Sequence, residues 1–304
     1  MSAKVLHYSE TLSPPCVALF PLLWTARVPG AFLGWGIKGG GLPKTTTHKF
    51  PEYPVKNTHQ PTDLQKAAER GEPSHVWRAG QDRRLRLILE AAGDRVYETV
   101  FVDGCGVGMY LSHLAPMANT ILGMDIEFPR VKDSSAYTPN VFCGAGEYLA
   151  LPEASVDLLL SHEVLEHVQD DKKAIAEMVR VLKPGGRIVL FCPNRGYPFE
   201  THGIYKNGEY KFGNIPLVNW LPRKWRDKLC PHVEIYTRQD LRELFEGLPV
   251  KFITQRTIFG GYDNIIQSMP GLGRALRSFL YALEKTPLQR LGLSHFWVIE
   301  KKAR

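Results

Sequence analysis

From residue 75 onward, apolar and polar positions fall into regular periods that predict alternating helices and strands. Residues 75–92 place Leu85, Leu87, Ile88 and Ala91 at helical spacing, and Gly93 supplies a stop. Residues 99–103 (TVFVD) read as a short buried strand, and a helix begins over 108–114. Residues 120–125, 140–143 and 156–161 read as the second, third and fourth strands. Asp170 or Asp171 caps a helix running to Leu182, with Ala174, Ile175, Met178, Val181 and Leu182 on one apolar face. Lys183-Pro184-Gly185-Gly186 predicts a stop and turn before a fifth strand at 187–192. Thr237 with Asp240 three residues on opens a capped helix over 237–246, and residues 250–258 and 295–299 read as the last two strands. Strands that are continuous apolar runs, separated by helices, imply an α/β fold with a mostly parallel seven-stranded sheet covered on both faces.

The chain of 304 residues is long enough for this domain and an extension, so residues 1–73 are expected to form an N-terminal arm and residues 74–304 the α/β domain. Residues 16–37 are apolar but interrupted by Pro21, Arg27, Pro29 and glycines. A transmembrane helix needs an uninterrupted span of about 20 residues. Glu10 and the long polar lead suit a secretory signal poorly. The expectation is an arm packed on the core, with a shallow peripheral membrane contact as the alternative. Five scattered cysteines, with no CxxC pair, fit reduced thiols in a cytoplasmic protein.

The net charge of +7 is unevenly distributed. Residues 1–60 carry six bases against two acids and residues 194–236 seven against four, whereas residues 61–193 carry fourteen against nineteen. The basic character sits outside the expected catalytic core, as an anionic substrate or surface at its rim would favour, although the bases form no dense run.

Candidate chemistry begins at the first strand-to-helix turn, Val102-Asp103-Gly104-Cys105-Gly106-Val107-Gly108. Glycines let the backbone turn tightly and admit a ligand against its amides. A glycine loop also announces dinucleotide binding. Here the spacing is GxGxG, and Asp103 ends the strand where a pyrophosphate would be repelled and an ammonium group welcomed. Asp125 closes the second strand 22 residues later, where a carboxylate can accept both hydroxyls of a ribose.

These motifs, continued by GAGEYLALPEASVDLLLSHEVLEHV and VLKPGGRIVLFCPN, resemble the class I S-adenosylmethionine (SAM)-dependent methyltransferases, of the methyltransferase type 11 group that includes the ubiquinone-biosynthesis O-methyltransferases. The resemblance covers residues 96–193 closely and 230–247 more loosely. It implies a Rossmann-like fold and SAM as cofactor, with Asp103, Gly104, Cys105, Gly106 and Gly108 around the methionine moiety. It further implies Asp125 and Ile126 at the ribose, Gly146 and Glu147 beside the adenine, and Ser161 and His162 facing the transferred methyl. The chain departs from the family pattern in the 14 residues between Asp125 and Asn140, which leave room for only a very short crossover helix, and in Val156 where an aromatic is usual.

Within Ser161-His162-Glu163-Val164-Leu165-Glu166-His167, a helix starting at Glu163 would put Glu163, Glu166 and His167 on one face. Such a trio can hold a divalent cation. This ExxEH also resembles the metal motif of the small-RNA 3′-terminal 2′-O-methyltransferases, where a later histidine before an aromatic-Thr-Arg run completes the set. His232, ahead of Tyr236-Thr237-Arg238, has that position. The expected cation is Mg²⁺, Mn²⁺, Fe²⁺ or Zn²⁺. In its absence His162 or His202 would serve as general base, and Glu163 is a further catalytic candidate.

The insertion at 194–236, rich in aromatics and bases and holding Glu200-Thr201-His202-Gly203, is expected to be an acceptor-binding lid over the strand ends. Residues 260–293 are expected to form a second cover, with a helix near 276–284. The resulting expectation is methyl transfer to a hydroxyl of a small metabolite, glycan or lipid-linked molecule. Alternatives are an RNA-terminal 2′-O-methyltransferase, disfavoured because no RNA-binding module is evident, and a non-catalytic SAM-binding assembly factor.

Overall fold

The computed structural model describes residues 77–231 and 233–303. The apolar segment 16–37 and His232 lie outside the described residues, so the expectations for them are not addressed by it.

Helix α1 (Ala79–Ala92) ends at Gly93, whose φ of +56° takes the chain out of the helix. It leads to strand β1 (Thr99–Asp103), helix α2 (Met109–Leu114), strand β2 (Thr120–Asp125), helix α3 (Phe128–Ser134) and strand β3 (Val141–Cys143). The seven-residue α3 is the short crossover that the Asp125–Asn140 spacing predicts. Strand β4 (Val156–His162), helix α4 (Asp171–Val181) and strand β5 (Leu182–Pro193) follow. Asp170 caps α4 by accepting the Lys173 N–H at 2.9 Å. After the insertion come helix α5 (Arg223–Leu229), helix α6 (Arg238–Leu244), strand β6 (Val250–Ile258), a helical hairpin of α7 (Asp263–Ser268) and α8 (Pro270–Leu283), and strand β7 (Ser294–Lys301). The expected Thr237–Asp240 capping box opens α6.

The seven strands lie in the order β6-β7-β5-β4-β1-β2-β3. Strands β1 to β5 pair in parallel, and β7 runs antiparallel between β5 and β6. Leu158, Leu159 and Leu160 are all fully buried because helices cover both faces of the central strand. Leu159 packs with α4 and α6 residues such as Ile175 and Leu241. Leu158 and Leu160 pack on the opposite face with Ile88 of α1 and Leu111 of α2. Each such leucine contributes about 1.5–3 kcal/mol of burial, which is why the strands read as unbroken apolar runs.

Three expectations need correction. The Lys183-Pro-Gly-Gly turn does not delay β5: the strand starts at Leu182, and the turn is taken up as a register slip opposite Val156–Leu158, with Gly185 at φ +81°. The helix expected at Glu163 does not form. Glu163 has a left-handed backbone (φ +54°), and only a single 3-10 turn, Leu165–His167, follows. The second cover is a hairpin of two helices where one was expected, with Gly273 packed so closely on Ile266 that a Cβ would come within 2.7 Å of its Cα.

The insertion forms small antiparallel pairs, Phe199–Glu200 with Ile215–Pro216 and Ile204–Lys206 with Glu209–Lys211, before α5. Its own small core is Val218, Cys230 and Val233.

Candidate active site

The parallel strands β1, β2 and β4 end along one sheet edge, bringing Asp103, Asp125 and Ser161-His162 together. The β1–α2 loop turns through left-handed residues at Gly104, Gly106 and Gly108, with φ of +65°, +54° and +90°. A Cβ on Gly104 would overlap the Val164 side chain at 2.2 Å, and one on Gly108 would meet the Tyr137 ring at 2.5 Å. Both glycines are therefore required by the loop's own packing. Asp125 ties the loop to β2: one carboxylate oxygen accepts the Gly106 N–H at 2.9 Å and the other the Glu127 N–H at 3.0 Å. Each oxygen keeps a second lone pair for a hydroxyl.

Asp103 is 1% exposed. Ser161 donates to one of its oxygens at 3.1 Å, and the other, Oδ1, has no hydrogen-bond partner among the described residues. Burial raises the Asp103 carboxyl to about 7 against the lowering effect of the Ser161 bond, with the charges of Asp125 and Glu147 pushing the same way as burial. A buried acid with an orphaned oxygen, beside two further carboxylates, is a site built to receive a cation. This fits the sulfonium and ammonium of SAM. A Cβ on Gly146 would stand 3.9 Å from Asp103 Oδ1, beside Val168 and Ala174 at 3.6 and 3.7 Å.

The remaining residues of the expected SAM site divide by what their side chains do. Ser161 holds Asp103. Cys105 turns its thiol into the core against Ser134 Oγ at 3.6 Å, so only its backbone belongs to the loop surface, and burial pushes the thiol up to about 11. Ile126 stays 54% exposed at the rim. Glu147 Oε1 accepts the Gln169 N–H at 2.7 Å and the Asp170 N–H at 3.3 Å, capping the entry to α4.

His162 is tied to α1, which the sequence reading did not connect to the site. Arg84 donates to His162 Nε2 at 2.5 Å, to Glu163 Oε1 at 3.0 Å and to Ser294 Oγ at 2.9 Å, and Ser294 donates to Glu163 at 2.7 Å. Tyr110 Oη lies 3.3 Å from the same imidazole nitrogen. With its lone pair taken by a guanidinium, Nε2 cannot accept a substrate proton. Burial and the Arg84 charge also lower His162 to about 3. His162 is thus unsuited to the general-base role expected of it. The signal for Arg84 was legible: it shares the apolar face of α1 with Ile88 and Ala91, an unusual place for a base.

The same network holds the Glu163 carboxylate on Arg84 and Ser294, although it stays beside Glu166, with which it and His167 were expected to form a metal set. The side chains that converge instead are Glu166, His167 and the lid's His202, each offering one ligand atom, all within 4.8 Å of one another. The rings of His167 and His202 meet edge to face with centroids 5.7 Å apart. The 3-10 turn is fixed from the end of the lid, Glu234 N–H to the Glu166 carbonyl and Tyr236 Oη to the Leu165 carbonyl, both at 3.0 Å. Glu166 is 2% exposed, and neither carboxylate oxygen has a hydrogen-bond partner among the described residues. Burial, and next the neighbouring Glu163 charge, push its carboxyl well above the usual range.

His202 is oriented by Glu200, which accepts its backbone N–H at 2.9 Å and lies 3.1 Å from Nδ1. Glu200 in turn takes the buried Arg226 guanidinium at 3.0 Å. Burial works against it, yet bonding to His202 and the charges of His202 and Arg226 hold Glu200 down at about 2. Nδ1 therefore carries the proton toward Glu200. One carboxylate oxygen and two imidazoles, with a buried acid behind one of them, fit a divalent cation.

A cavity of about 370 Å³ reaches His162. Its walls include Arg78, Arg83 and Arg84 from the start of α1, Asn214 from the lid, and Tyr262 and Tyr281 from the α7–α8 hairpin.

Residues 103–190 match the family model described as a methyltransferase domain. Over 112 residues the chain is 36% identical to a probable S-adenosylmethionine-dependent methyltransferase of Mycolicibacterium smegmatis, covering 36% of this chain and 42% of that one. Over 168 residues it is 33% identical to the demethylmenaquinone methyltransferase of Renibacterium salmoninarum, covering 54% of this chain and 67% of that one. It thus spans from under half to two thirds of the length of these relatives. The fold matches the crystal structure of an S-adenosylmethionine-dependent methyltransferase from Mesorhizobium loti with a TM-score of 0.50 at 18% identity, covering 78% of this chain and all of that one. With its sheet order, acid-terminated first strand and left-handed glycine loop, the chain belongs to the class I SAM-dependent methyltransferases.

Proposed function

We propose that the chain transfers the methyl group of SAM to a hydroxyl of an acceptor seated in the cavity at His162, with a divalent cation held by Glu166, His167 and His202. The observation that carries this reading is the convergence of two unlike groups on one sheet edge. The Asp103–Asp125–Glu147 carboxylates gather by the glycine loop, and the Glu166–His167–His202 cluster lies just past the end of β4.

SAM, when bound, supplies a methyl group on a cationic sulfur. Asp103 holds the ammonium end, Asp125 the ribose hydroxyls, and Gly146-Glu147 flank the adenine. Ser161 keeps Asp103 in place. The Arg84–Glu163–Ser294 network keeps His162 neutral and fixed as part of the cavity wall. A divalent cation would supply Lewis acidity toward an acceptor hydroxyl. His202 brings the lid onto the strand ends, and alignment of the acceptor supplies much of the rate.

The Glu200–His202 bond, which orients the imidazole as an acid–base group, also favours a second reading, in which His202 takes the acceptor's proton without a cation. The acceptor class is a small metabolite, glycan or lipid-linked hydroxyl compound. Among the described residues no helix is long and apolar enough to cross a membrane. Labelled-methyl turnover on a panel of hydroxylated acceptors, beside an RNA panel, tests the reading. Transfer to RNA alone would favour the terminal 2′-O-methyltransferase, and SAM binding without transfer to either panel would favour an assembly factor.

A further inference from the structure

The α7–α8 hairpin forms one wall of the cavity and is fastened to the body by polar contacts. Asp263 accepts the Gly80 N–H at 3.1 Å, and Glu284 takes Arg83 at 2.5 Å and the Phe259 N–H at 2.8 Å. Arg83 also stacks on Tyr281, 3.7 Å from the ring centre. The apolar side chains of the hairpin are left with little to bury them. Met269, Leu272 and Phe279 are 52%, 63% and 61% exposed, and Leu288 beyond the helix is 42% exposed. A spacing of seven residues places Leu272 and Phe279 along one face of α8, and Met269 stands at its N-cap. Large apolar side chains grouped on one element in this way mark an interaction surface.

Charge selects the partner. Residues 264–293 carry four bases, Arg274, Arg277, Lys285 and Arg290, and a single acid, Glu284, which is buried under Arg83. Arg274, Lys285 and Arg290 are exposed, and Arg277 turns back toward Asp263 at 3.7 Å. An apolar helical face flanked by exposed bases, with no exposed acid over those residues, is complementary to an anionic lipid surface. Across the same cavity stands the lid, where Phe212, 78% exposed, lies two residues from the cavity-lining Asn214.

We propose that the α8 face docks on anionic lipid bilayers, so that the cavity opens at the membrane surface. The second half of this statement rests on the acceptor reading of the cavity, and it makes the acceptor a molecule with an apolar tail held in the bilayer. The docking half does not depend on methyl transfer.

The test is co-sedimentation of the full chain with vesicles of phosphatidylcholine, with and without phosphatidylglycerol. Wild type is expected to pellet with the anionic vesicles and to be released by salt, and Leu272→Glu with Phe279→Glu to lower partitioning about tenfold or more. Arg274→Glu with Lys285→Glu, at exposed positions that leave the packing alone, is expected to do the same should the apolar pair impair folding. No vesicle binding by wild type, or undiminished binding by both variants, overturns the proposal. The latter would assign lipid binding to another segment such as residues 16–37. A dimer in sedimentation equilibrium that both variants dissociate, without lipid binding, would assign the face to a second copy and likewise overturn it. If docking holds while methyl transfer fails on every acceptor, the surface stands and the cavity's role does not.

Discussion

Glu200 accepts the backbone N–H of His202 at 2.9 Å and lies 3.1 Å from its ring Nδ1, while its second oxygen holds the buried Arg226 at 3.0 Å. The lid residue so oriented stands with Glu166 and His167, each offering one ligand atom within 4.8 Å of the others. Loss of an outer carboxylate of this kind weakens metal binding by about 10–100-fold. Glu200→Gln is expected to weaken Mn²⁺ binding, followed by electron paramagnetic resonance, within that range, and His202→Ala to weaken it further. Unchanged Mn²⁺ affinity in both variants would remove His202 from the metal set.

Chelation separates the two readings of His202. With a cation, EDTA is expected to lower turnover more than about a hundredfold, with recovery on adding Mg²⁺ or Mn²⁺ to wild type but not to His202→Ala. Should His202 act as general base alone, activity survives EDTA with losses under about tenfold and still collapses in His202→Ala.

His162 is expected to remain neutral, with the proton on Nδ1, down to pH values near 4, because burial and Arg84 lower it to about 3. Nitrogen-15 spectra of the imidazole should show one neutral tautomer between pH 5 and 8 in wild type. Arg84→Ala should raise its titration toward the ordinary histidine range. An imidazolium signal from His162 near pH 6 in wild type would contradict the assigned network.

SAM affinity should depend on pH through Asp103. Its carboxyl sits at about 7, so below that pH the ligand-free protein carries a proton there. A cationic ligand favours the carboxylate and expels that proton. Affinity is therefore expected to rise between pH 5 and 7 and to level off above about 7, with up to one proton released per SAM bound at the acid end. Calorimetry in buffers of different ionisation enthalpy reads the proton directly. A flat profile across pH 5–7 would show that Asp103 does not face the ligand's charge.

The glycines of the site should separate by cause. Gly104→Ala and Gly108→Ala place a Cβ against Val164 or Tyr137 on a left-handed backbone and are expected to cost about 1–3 kcal/mol of stability each. Gly146→Ala meets only ordinary contacts, at 3.6 Å or more, so its melting temperature should stay near wild type while SAM binding falls. Equal melting temperatures for all three would contradict the packing described for the loop.

How far the sequence could be read follows from these contacts. The central strands were legible because burial on both faces leaves apolar runs such as Leu158–Leu160, and the Asp103 and Asp125 positions were legible because parallel strands end in step. The Glu163 helix was misread because a long-range partner, Arg84, draws Glu163 toward Ser294 and leaves a left-handed residue where helical spacing was assumed. His202 was noticed as a base candidate, but its meeting with Glu166 was not legible. The insertion that carries it has no periodicity to fix its register, and its orientation depends on Arg226, 24 residues further on.

The most direct measurement of the central claim is calorimetric titration of SAM into the full chain and into Asp103→Asn and Asp125→Asn. One SAM per chain is expected for wild type, with affinity falling by about 1–3 kcal/mol in each variant as a charged hydrogen bond is lost, and with melting temperatures showing that the variants remain folded. No SAM binding by the folded wild-type protein, or wild-type affinity in both variants, would contradict the placement of the cofactor on this sheet edge.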